Sequence, residues 1–314
     1  MSTRKSRFRI VGEYALIRAV LGLVRRVPAA AAFRLTDWIG DLAYLLDRQH
    51  RTVACKNLAR VFGGSAGDRE HRRTARMVFR HFMRVAAEFA ILPRMIDRRG
   101  LEQIIQIKGR ENVDRALAAG KGVIVFSAHF GNWEVLAAAA RPLGLRLHSV
   151  GRALDNPLLD RYVEQERSRY ALSMIRKEGG LREIVRALRS GDAVAMLLDQ
   201  HAGRSGIAVD FLGRPASTFR AAAELSVRFG LPLLGGFGTR VEESPRFELV
   251  FDPPLWPDPE ADREAEVSRL TQAASDAIAR RVRSRPEQWN WLHRRWRKPK
   301  RRKRKLAGQQ ESMA

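Results

Sequence analysis

Residues 121–135, KGVIVFSAHFGNWEV, contain the side chains whose types and spacing most clearly suggest catalysis. His129 follows a short apolar run at 122–126, and Glu134 stands five residues later. An imidazole titrates near neutral pH and can take a proton from a reacting hydroxyl, while a nearby carboxylate can orient the ring and stabilise its protonated form. We therefore predict that His129 and Glu134 form a general-base pair.

The spacing alone is weak evidence for a general-base pair, because the pattern His-x4-Glu occurs by chance in many chains. Its context is more informative, since the β-branched run before His129 is typical of a buried parallel strand and binding sites commonly follow such strands. On an uninterrupted helix the two side chains would lie about 140° apart. The pair therefore requires a turn, which Gly131 and Asn132 can provide. The alternative is a purely structural histidine.

Three further residues are predicted to lie beyond strand ends or on the helix that follows: Arg152, Arg167 and Asp199. In a parallel sheet these positions border the usual binding crevice. The two guanidinium groups could hold a phosphate or carboxylate of a substrate. Asp199 directly follows an apolar strand, so we expect it to be paired, either with one of the arginines or with His129. For Arg167, a solvated surface arginine is the alternative.

Other catalytic chemistries have less support in the sequence. Ser127 lacks the glycine-flanked elbow of serine hydrolases, and neither an HExxH motif nor a phosphate-binding glycine loop with its lysine occurs. Cys55 is the single cysteine, which excludes internal disulfides and cysteine-based zinc sites and suits a reducing compartment. We expect no metal or cofactor. His201 stands out because it is near Asp199, whereas surface or packing roles are expected for His50, His71, His81 and His148.

Short apolar strands alternate with helices after about residue 100. The predicted strands are 104–107, 123–126, 145–150, 193–198, 207–211, 231–237 and 247–251, and the predicted helices are 111–119, 157–170, 181–189, 218–229 and 262–283. This order favours an α/β fold, with a mixed, mostly parallel sheet covered by helices on both faces and an N-terminal helical segment before it.

The N-terminal apolar run at 14–24 is interrupted by Arg18 and is too short for the roughly 20 apolar residues that cross a bilayer. We interpret it as a basic amphipathic helix lying in a membrane interface, with Trp38 and Tyr44 at the headgroup level. An ordinary core-packing helix is the alternative. The predicted regions are a helical membrane-associating region at 1–98, an α/β core at 99–297 and a basic disordered tail at 298–314.

The formal net charge of +24, from 58 Lys and Arg against 34 Asp and Glu, indicates an anionic partner. An anionic membrane surface, an acidic protein and a nucleic acid are the candidates. A nucleic-acid-binding protein is the rival from another functional class, but the chain has no recognisable nucleic-acid-reading module. A lipid-facing enzyme explains the charge together with His129 and Glu134, so we expect no nucleic acid partner.

Four segments, in order along the chain, resemble the bacterial lipid A biosynthesis acyltransferases. They are HFGNWE at 129–134, GRALDNPLLD at 151–160, DQHAGRSGIAVDFLGRPAST at 199–218 and PEQWNWLHRRW at 286–296. KNL at 56–58 also fits, and the similarity extends from about residue 53 to residue 296. In many family members the N terminus is a clear hydrophobic anchor, whereas here Arg18 interrupts it.

This resemblance implies an O-acyltransferase bound peripherally or monotopically to the cytoplasmic face of the bacterial inner membrane. The implied reaction moves a fatty acyl chain from acyl carrier protein, or from acyl-CoA, to a hydroxyl of a membrane glycolipid, such as a precursor of lipid A in lipopolysaccharide. Related proteins acylate mannosylated or other polar lipids, and the motifs do not distinguish the acceptors. The positions that the resemblance marks as active-site residues are His129, Glu134, Arg152, Arg167 and Asp199.

The expected mechanism uses no acyl-enzyme. Neutral His129 takes the proton of the acceptor hydroxyl as its oxygen attacks the thioester, and Glu134 fixes the tautomer of the imidazole. Backbone N–H groups near Gly131 are expected to receive the oxyanion that develops on the carbonyl.

Overall fold

A computed structural model describes residues 6–170, 172–242 and 244–297. The helices are α1 Arg7–Arg26, α2 Ala29–Leu46, α3 Arg48–Phe62, α4 Arg69–Arg99, α5 Leu101–Ile104, α6 Arg110–Leu117, α7 Glu134–Ala140, α8 Pro157–Ser168, α9 Leu181–Arg189, α10 Ala221–Phe229 and α11 Arg263–Ser284. The strands are β1 Ile105–Lys108, β2 Val123–Ser127, β3 Leu147–Gly151, β4 Ser173–Arg176, β5 Ala193–Leu197, β6 Ile207–Asp210, β7 Pro215–Thr218, β8 Leu233–Arg240 and β9 Phe247–Phe251.

Seven of these strands form one sheet in the order β1-β9-β8-β2-β5-β3-β4. The strands β8, β2, β5, β3 and β4 are parallel to one another, whereas β9 is antiparallel to β8 and β1 pairs parallel with β9. Strands β6 and β7 form a separate antiparallel pair. The prediction of a mixed, mostly parallel sheet is confirmed.

Strand β2 lies at the centre of the sheet and all of its residues are buried. Its alternate side chains enter two different hydrophobic clusters, as the two-residue period of a strand requires. Ile124 and Phe126 pack in the cluster that contains residues of α9, α10 and α11, and Val123 and Val125 pack in the cluster that contains residues of α6 and α7. Helices therefore cover both faces of the sheet, as predicted.

Two strands were not predicted from the sequence. Strand β4 is four residues long and lies at the edge of the sheet, and Ile175 is its one fully buried residue, so its pattern carries little information. Strand β7 lies just before the predicted helix 218–229 and shares only Thr218 with it, and helix α10 begins only at Ala221.

The later N-terminal helices belong to the same core as the sheet. Ala54 and Leu58 of α3 and Val78 of α4 lie in the cluster that also holds β2 and α11 residues. Helix α4 continues past Pro93 to Arg99 and ends at Gly100, whose φ of +82° favours glycine. Strands and helices were predicted to alternate after about residue 100, and this is where the long helix α4 ends.

Helix α1 is attached to α8 by basic side chains. The guanidinium of Arg18, the residue that interrupts the apolar run, lies over the ring of Tyr162 at 4.4 Å from its centroid. Arg25 forms a 2.8 Å ion pair with Glu166 of the same helix. The interruption of the apolar run therefore has a structural role.

Helices α1 and α2 nevertheless leave large apolar side chains in solvent. The most exposed are Phe8, Leu16, Leu23, Trp38, Leu42, Leu45 and Leu46. Tyr44 was expected beside Trp38 at a membrane surface, but its ring packs inward on Phe79 with centroids 5.7 Å apart. Among the described residues, no helix combines the length and the apolarity that crossing a membrane requires. The predicted disordered tail at 298–314 lies outside the described residues.

Candidate active site

The pairing of β2 with β5 brings His129 and Asp199 together. In this parallel register Ser127 is opposite Leu197, and the backbone pairing continues one step further, where Leu198 N–H donates to the Ser127 carbonyl at 3.0 Å. His129 and Asp199 each stand two residues beyond these strand ends. Because both strands end at the same edge of the sheet, the two side chains meet there.

Asp199 accepts three hydrogen bonds, two of them from His129. The ring Nδ1 of His129 lies 2.9 Å from Oδ1 of Asp199, and the backbone N–H of His129 donates to Oδ2 at 2.9 Å. The indole N–H of Trp289 donates to the same Oδ2 at 2.9 Å. A carboxylate that faces Nδ1 selects the tautomer with the proton on Nδ1, which leaves Nε2 free to act as a base.

The surroundings of this dyad favour charge on both groups. Burial lowers the pKa of His129, but the charge of Asp199 and its hydrogen bond act in the opposite direction, and the net pKa is raised above 6.5. Burial raises the pKa of Asp199, but the charge of His129 and the hydrogen bonds from His129 and Trp289 hold its net pKa below the ordinary value. The His129 side chain remains 22% exposed, so a substrate can reach the ring.

Glu134 does not take the position that was expected for it. Both of its carboxylate oxygens bind Arg167 of α8, at 2.5 Å from Nη2 and 3.0 Å from Nε. Gly131 and Asn132 do turn the chain, but the turn makes Glu134 the first residue of α7 and directs its carboxylate to α8. Asp199, not Glu134, therefore orients the ring of His129, which corrects the expectation from the sequence.

Glu134 is linked to His129 through Trp133. The indole N–H of Trp133 donates to Oε1 of Glu134 at 3.0 Å, and its ring packs edge-on against the His129 ring with centroids 5.3 Å apart. Arg167 completes this arrangement on the other side of Glu134. Glu134 and Arg167 can thus position the indole that packs on the imidazole, which is an indirect role for both residues.

The turn after His129 is held by its backbone. Gly131 has φ +57°, and a Cβ there would lie 1.9 Å from the Gly238 carbonyl oxygen. The Gly131 N–H donates to the Gln288 carbonyl at 2.9 Å, and the Asn132 N–H donates to the Gly238 carbonyl at 2.7 Å. These two N–H groups are therefore already engaged, and the expectation that N–H groups near Gly131 receive the oxyanion does not hold for them.

A buried charged network supports the same turn from α4. Arg240 forms an ion pair with Glu88, and Glu88 accepts a hydrogen bond from the Asn132 side chain at 3.0 Å. His81 Nε2 lies 3.1 Å from the Gly131 carbonyl and its Nδ1 lies 3.0 Å from Arg240 Nη1. Burial, together with the charge of Arg240, lowers the pKa of His81 well below 6.5, so His81 is neutral and donates from Nε2. This packing role agrees with the default that was expected for His81.

Arg152 also follows a strand, β3, at the same edge of the sheet, but its side chain is 70% exposed. Its guanidinium binds Asp155, three residues later, at 3.0 Å. The structure thus brings together His129 with Asp199 and Glu134 with Arg167, and it leaves Arg152 on the surface.

The C-terminal segment 286–297 completes the site, and its contacts were not predicted. Trp289 and Trp291 are fully buried, and the Asn290 N–H donates to the His129 carbonyl at 3.1 Å. Asn57 of α3 holds the segment through bonds of 2.9 Å to the carbonyls of Trp291 and His293. The only sequence signal for this role was the resemblance of PEQWNWLHRRW to a family motif, which gives no contact.

Comparisons with known proteins show the family of this chain. Residues 1–298 match the model of the family described as bacterial lipid A biosynthesis acyltransferase. The lipid A biosynthesis palmitoleoyltransferase of Escherichia coli strain K12 is 26% identical over 283 residues, 88% of each chain. The phosphatidylinositol mannoside acyltransferase of Mycobacterium tuberculosis strain CDC 1551 / Oshkosh is 26% identical over 263 residues, 77% of this chain and 75% of the relative.

Among solved structures, the 1-acyl-sn-glycerophosphate acyltransferase PlsC from Thermotoga maritima aligns with 85% of this chain and 100% of its own, at 16% identity and a TM-score of 0.39. The family match covers more than nine-tenths of the chain, and the curated relatives are named as acyltransferases. The chain belongs to the bacterial lipid A biosynthesis acyltransferase family and is an O-acyltransferase.

Proposed function

We propose that this acyltransferase moves a fatty acyl chain from acyl carrier protein to a hydroxyl of a membrane glycolipid, with His129 as the general base. The observation that carries the proposal is the hydrogen bond from His129 to the buried Asp199, because it leaves Nε2 as the basic nitrogen of a partly exposed ring beyond the strand ends. Acyl-CoA is the alternative donor, since it presents the same thioester.

In this mechanism, Nε2 of His129 removes the proton of the acceptor hydroxyl while the oxygen attacks the thioester carbonyl. Asp199 stabilises the imidazolium that forms, as the raised pKa of His129 indicates. The tetrahedral intermediate then collapses, the C–S bond breaks, and the imidazolium returns its proton to the departing thiolate. The products are an ester and a free thiol, and no acyl-enzyme is needed.

The remaining site residues have supporting roles in the proposal. Glu134 and Arg167 position Trp133, which packs on the His129 ring. Arg152 is a candidate for contact with an anionic part of a substrate, because its guanidinium is on the surface at the carboxyl edge of the sheet.

A lipid A precursor is the proposed acceptor, because the family match and the Escherichia coli relative are both named for lipid A biosynthesis. A mannosylated or other polar lipid is the second candidate. It is supported by the mycobacterial relative, whose name specifies phosphatidylinositol mannoside. The nucleic-acid-binding alternative rests on the net charge of +24 and on the terminal Arg and Lys clusters, which an anionic membrane or an acidic carrier protein also explains.

We also propose that the exposed apolar faces of α1 and α2 rest on the anionic cytoplasmic face of the inner membrane. Trp38 and Leu46 are 79% and 74% exposed, and the same two helices carry exposed arginines such as Arg9 and Arg34, so the surface suits the interface between headgroups and acyl chains. Replacing Trp38, Leu42 and Leu46 with Gln should strongly reduce co-sedimentation of the protein with anionic phospholipid vesicles. Unchanged co-sedimentation, with the fold intact by circular dichroism, would contradict this orientation.

His129→Ala tests the reaction. The variant should retain its fold and lose at least about 10²–10⁴-fold in acyl transfer, since that is the usual contribution of a general base. The measurement is transfer of a labelled acyl chain from acyl carrier protein, and separately from acyl-CoA, to glycolipid acceptors. His148→Ala is a matched control, because His148 binds Asp192 near the amino end of β5, away from the strand ends that hold the dyad. Near wild-type turnover in His129→Ala would refute the mechanism.

A further inference from the structure

An open cleft of about 400 Å³ lies between the start of α3, the loop after β5 and the C-terminal segment. The residues that line it are Gln49, His50, Val53, His201, Leu292, His293, Arg294 and Arg297. No part of the proposed mechanism uses this cleft. Its histidines and arginines make it a candidate for binding a polar ligand.

Two residues that line the cleft are close in sequence to Asp199 and to its hydrogen-bond partner Trp289. His201 is two residues after Asp199, and His293 is four residues after Trp289, the residue that donates to Asp199. Asn290, three residues before His293, donates its N–H to the His129 carbonyl at 3.1 Å, which places the cleft near the dyad. A group bound in the cleft would therefore be next to a reacting substrate.

The charges around the cleft favour an anion. Arg294 and Arg297 are exposed and contribute two positive charges, and none of the described residues that line the cleft is acidic. The carboxylate of Asp47, just outside the cleft lining in sequence, binds His50 at 2.6 Å. Arginine side chains converging on one cleft are typical of sites for phosphate or carboxylate groups.

The histidines supply a second and independent observation. Within residues 6–170, 172–242 and 244–297, Nδ1 of His201 and Nδ1 of His293 are buried and have no hydrogen-bond partner. Burial lowers the pKa of both rings, that of His293 to about 4, so both rings are neutral, and the ring of His201 already has a hydrogen bond to the backbone of Arg295. Buried polar atoms without partners are uncommon in folded proteins, and a bound ion is one of the explanations for them.

We propose that this cleft, which His201 and His293 line, binds a phosphate group of one of the substrates, held by Arg294 and Arg297. The inference rests on the proposed function, because both substrates of such a transfer can carry phosphate. The pantetheine arm is attached to acyl carrier protein through a phosphodiester and in acyl-CoA through a diphosphate, and glycolipids of the proposed classes carry phosphate next to the sugar. The shared chemistry is phosphate recognition beside the dyad.

The experiment compares the wild-type protein with the double variant Arg294→Gln/Arg297→Gln, both as full chains. One arm measures kcat/KM with palmitoyl-phosphopantetheine and with palmitoyl-pantetheine, which differ only in the phosphate. The other arm uses a phosphorylated lipid A precursor and the same lipid after phosphatase treatment. In one arm the wild type should have a higher kcat/KM with the phosphorylated substrate than with its partner. In the double variant the ratio of these two values should fall roughly tenfold for each arginine removed. The arm that responds identifies the source of the phosphate.

Arg263→Gln is the matched control, since Arg263 is an exposed arginine at the start of α11 and does not line the cleft. It should keep the wild-type preference. Equal preferences in the wild type and the double variant, in both arms, would overturn the proposal.

A binding measurement separates failure of this inference from failure of the proposed function. Titration of inorganic phosphate, followed by NMR of ¹⁵N-labelled histidine side chains, should perturb His201 and His293 in the wild type and not in the double variant. If the protein transfers no acyl chain but shows this titration, the proposed function fails and the phosphate cleft stands. The same titration in both proteins would overturn the cleft.

Discussion

Replacement of Asp199 with Asn is the sharpest test of the dyad, because all three contacts of the carboxylate are with donors. Oδ2 accepts from the His129 backbone N–H and from Trp289, and Oδ1 faces Nδ1 of His129. An asparagine has one acceptor oxygen and one amide NH₂ group. Its oxygen should take the position that satisfies two donors, so its NH₂ group should face Nδ1.

The expected effect follows from that orientation. Nδ1 must then accept a hydrogen bond, so the imidazole proton moves to Nε2, and the atom that should take the proton of the acceptor is blocked. In serine proteases the corresponding wrong tautomer lowers kcat about 10⁴-fold. For Asp199→Asn we expect a loss of about 10³–10⁴-fold, equivalent to about 4–5.5 kcal/mol in the activation free energy.

The assay is transfer of a labelled acyl chain under saturating donor, with thermal unfolding as the check on the fold. Glu134→Gln is the matched control, because it makes the same carboxylate-to-amide change at a residue that reaches His129 only through Trp133. It should lose much less activity than Asp199→Asn. If Asp199→Asn stays within about tenfold of the wild type while Glu134→Gln is as inactive as His129→Ala, Glu134 is the orienting partner and our assignment is refuted.

Two further predictions concern the same site. The raised pKa of His129 means that the base is neutral only above that pKa, so kcat/KM should fall as the pH decreases through a midpoint above 6.5. A midpoint at or below 6.5 would contradict the ion pair with Asp199. Gly131→Ala should lower activity by at least about tenfold and reduce thermal stability, because its Cβ would overlap the Gly238 carbonyl oxygen. Gly120→Ala is its control, since Gly120 also has positive φ but no atom within 4 Å of the Cβ, and equal losses in both would show that strain alone is responsible.

Most of the sheet could be predicted because its strands are buried on both faces. Strand β2 and strand β5 are continuous apolar runs, and such runs are conspicuous in a sequence. The predicted helix 181–189 matches α9, and the predicted helix 157–170 matches α8, which the Asn156 side chain caps. Strand β4 was missed because a four-residue edge strand has too few buried positions to show a period.

The partner of His129 could not be chosen from sequence spacing. Glu134 is five residues from His129 and Asp199 is seventy, yet the strand register makes the distant residue the neighbour. The register depends on which strands pair, and nothing local to either residue specifies that. Trp289 was missed for the same reason, since the segment that carries it returns to the site from the end of the chain.

Helix α4 contacts both helix α2 and the turn that follows His129. Arg80 and Arg84, one helical turn apart, bind Asp41 and Asp37 of α2. The same helix carries Glu88, which holds Asn132. With α2 resting on the bilayer as proposed, this unbroken helix would fix the height of His129 above the lipid surface. The enzyme would then select an acceptor hydroxyl by its depth in the membrane, before any contact with the sugar of the acceptor.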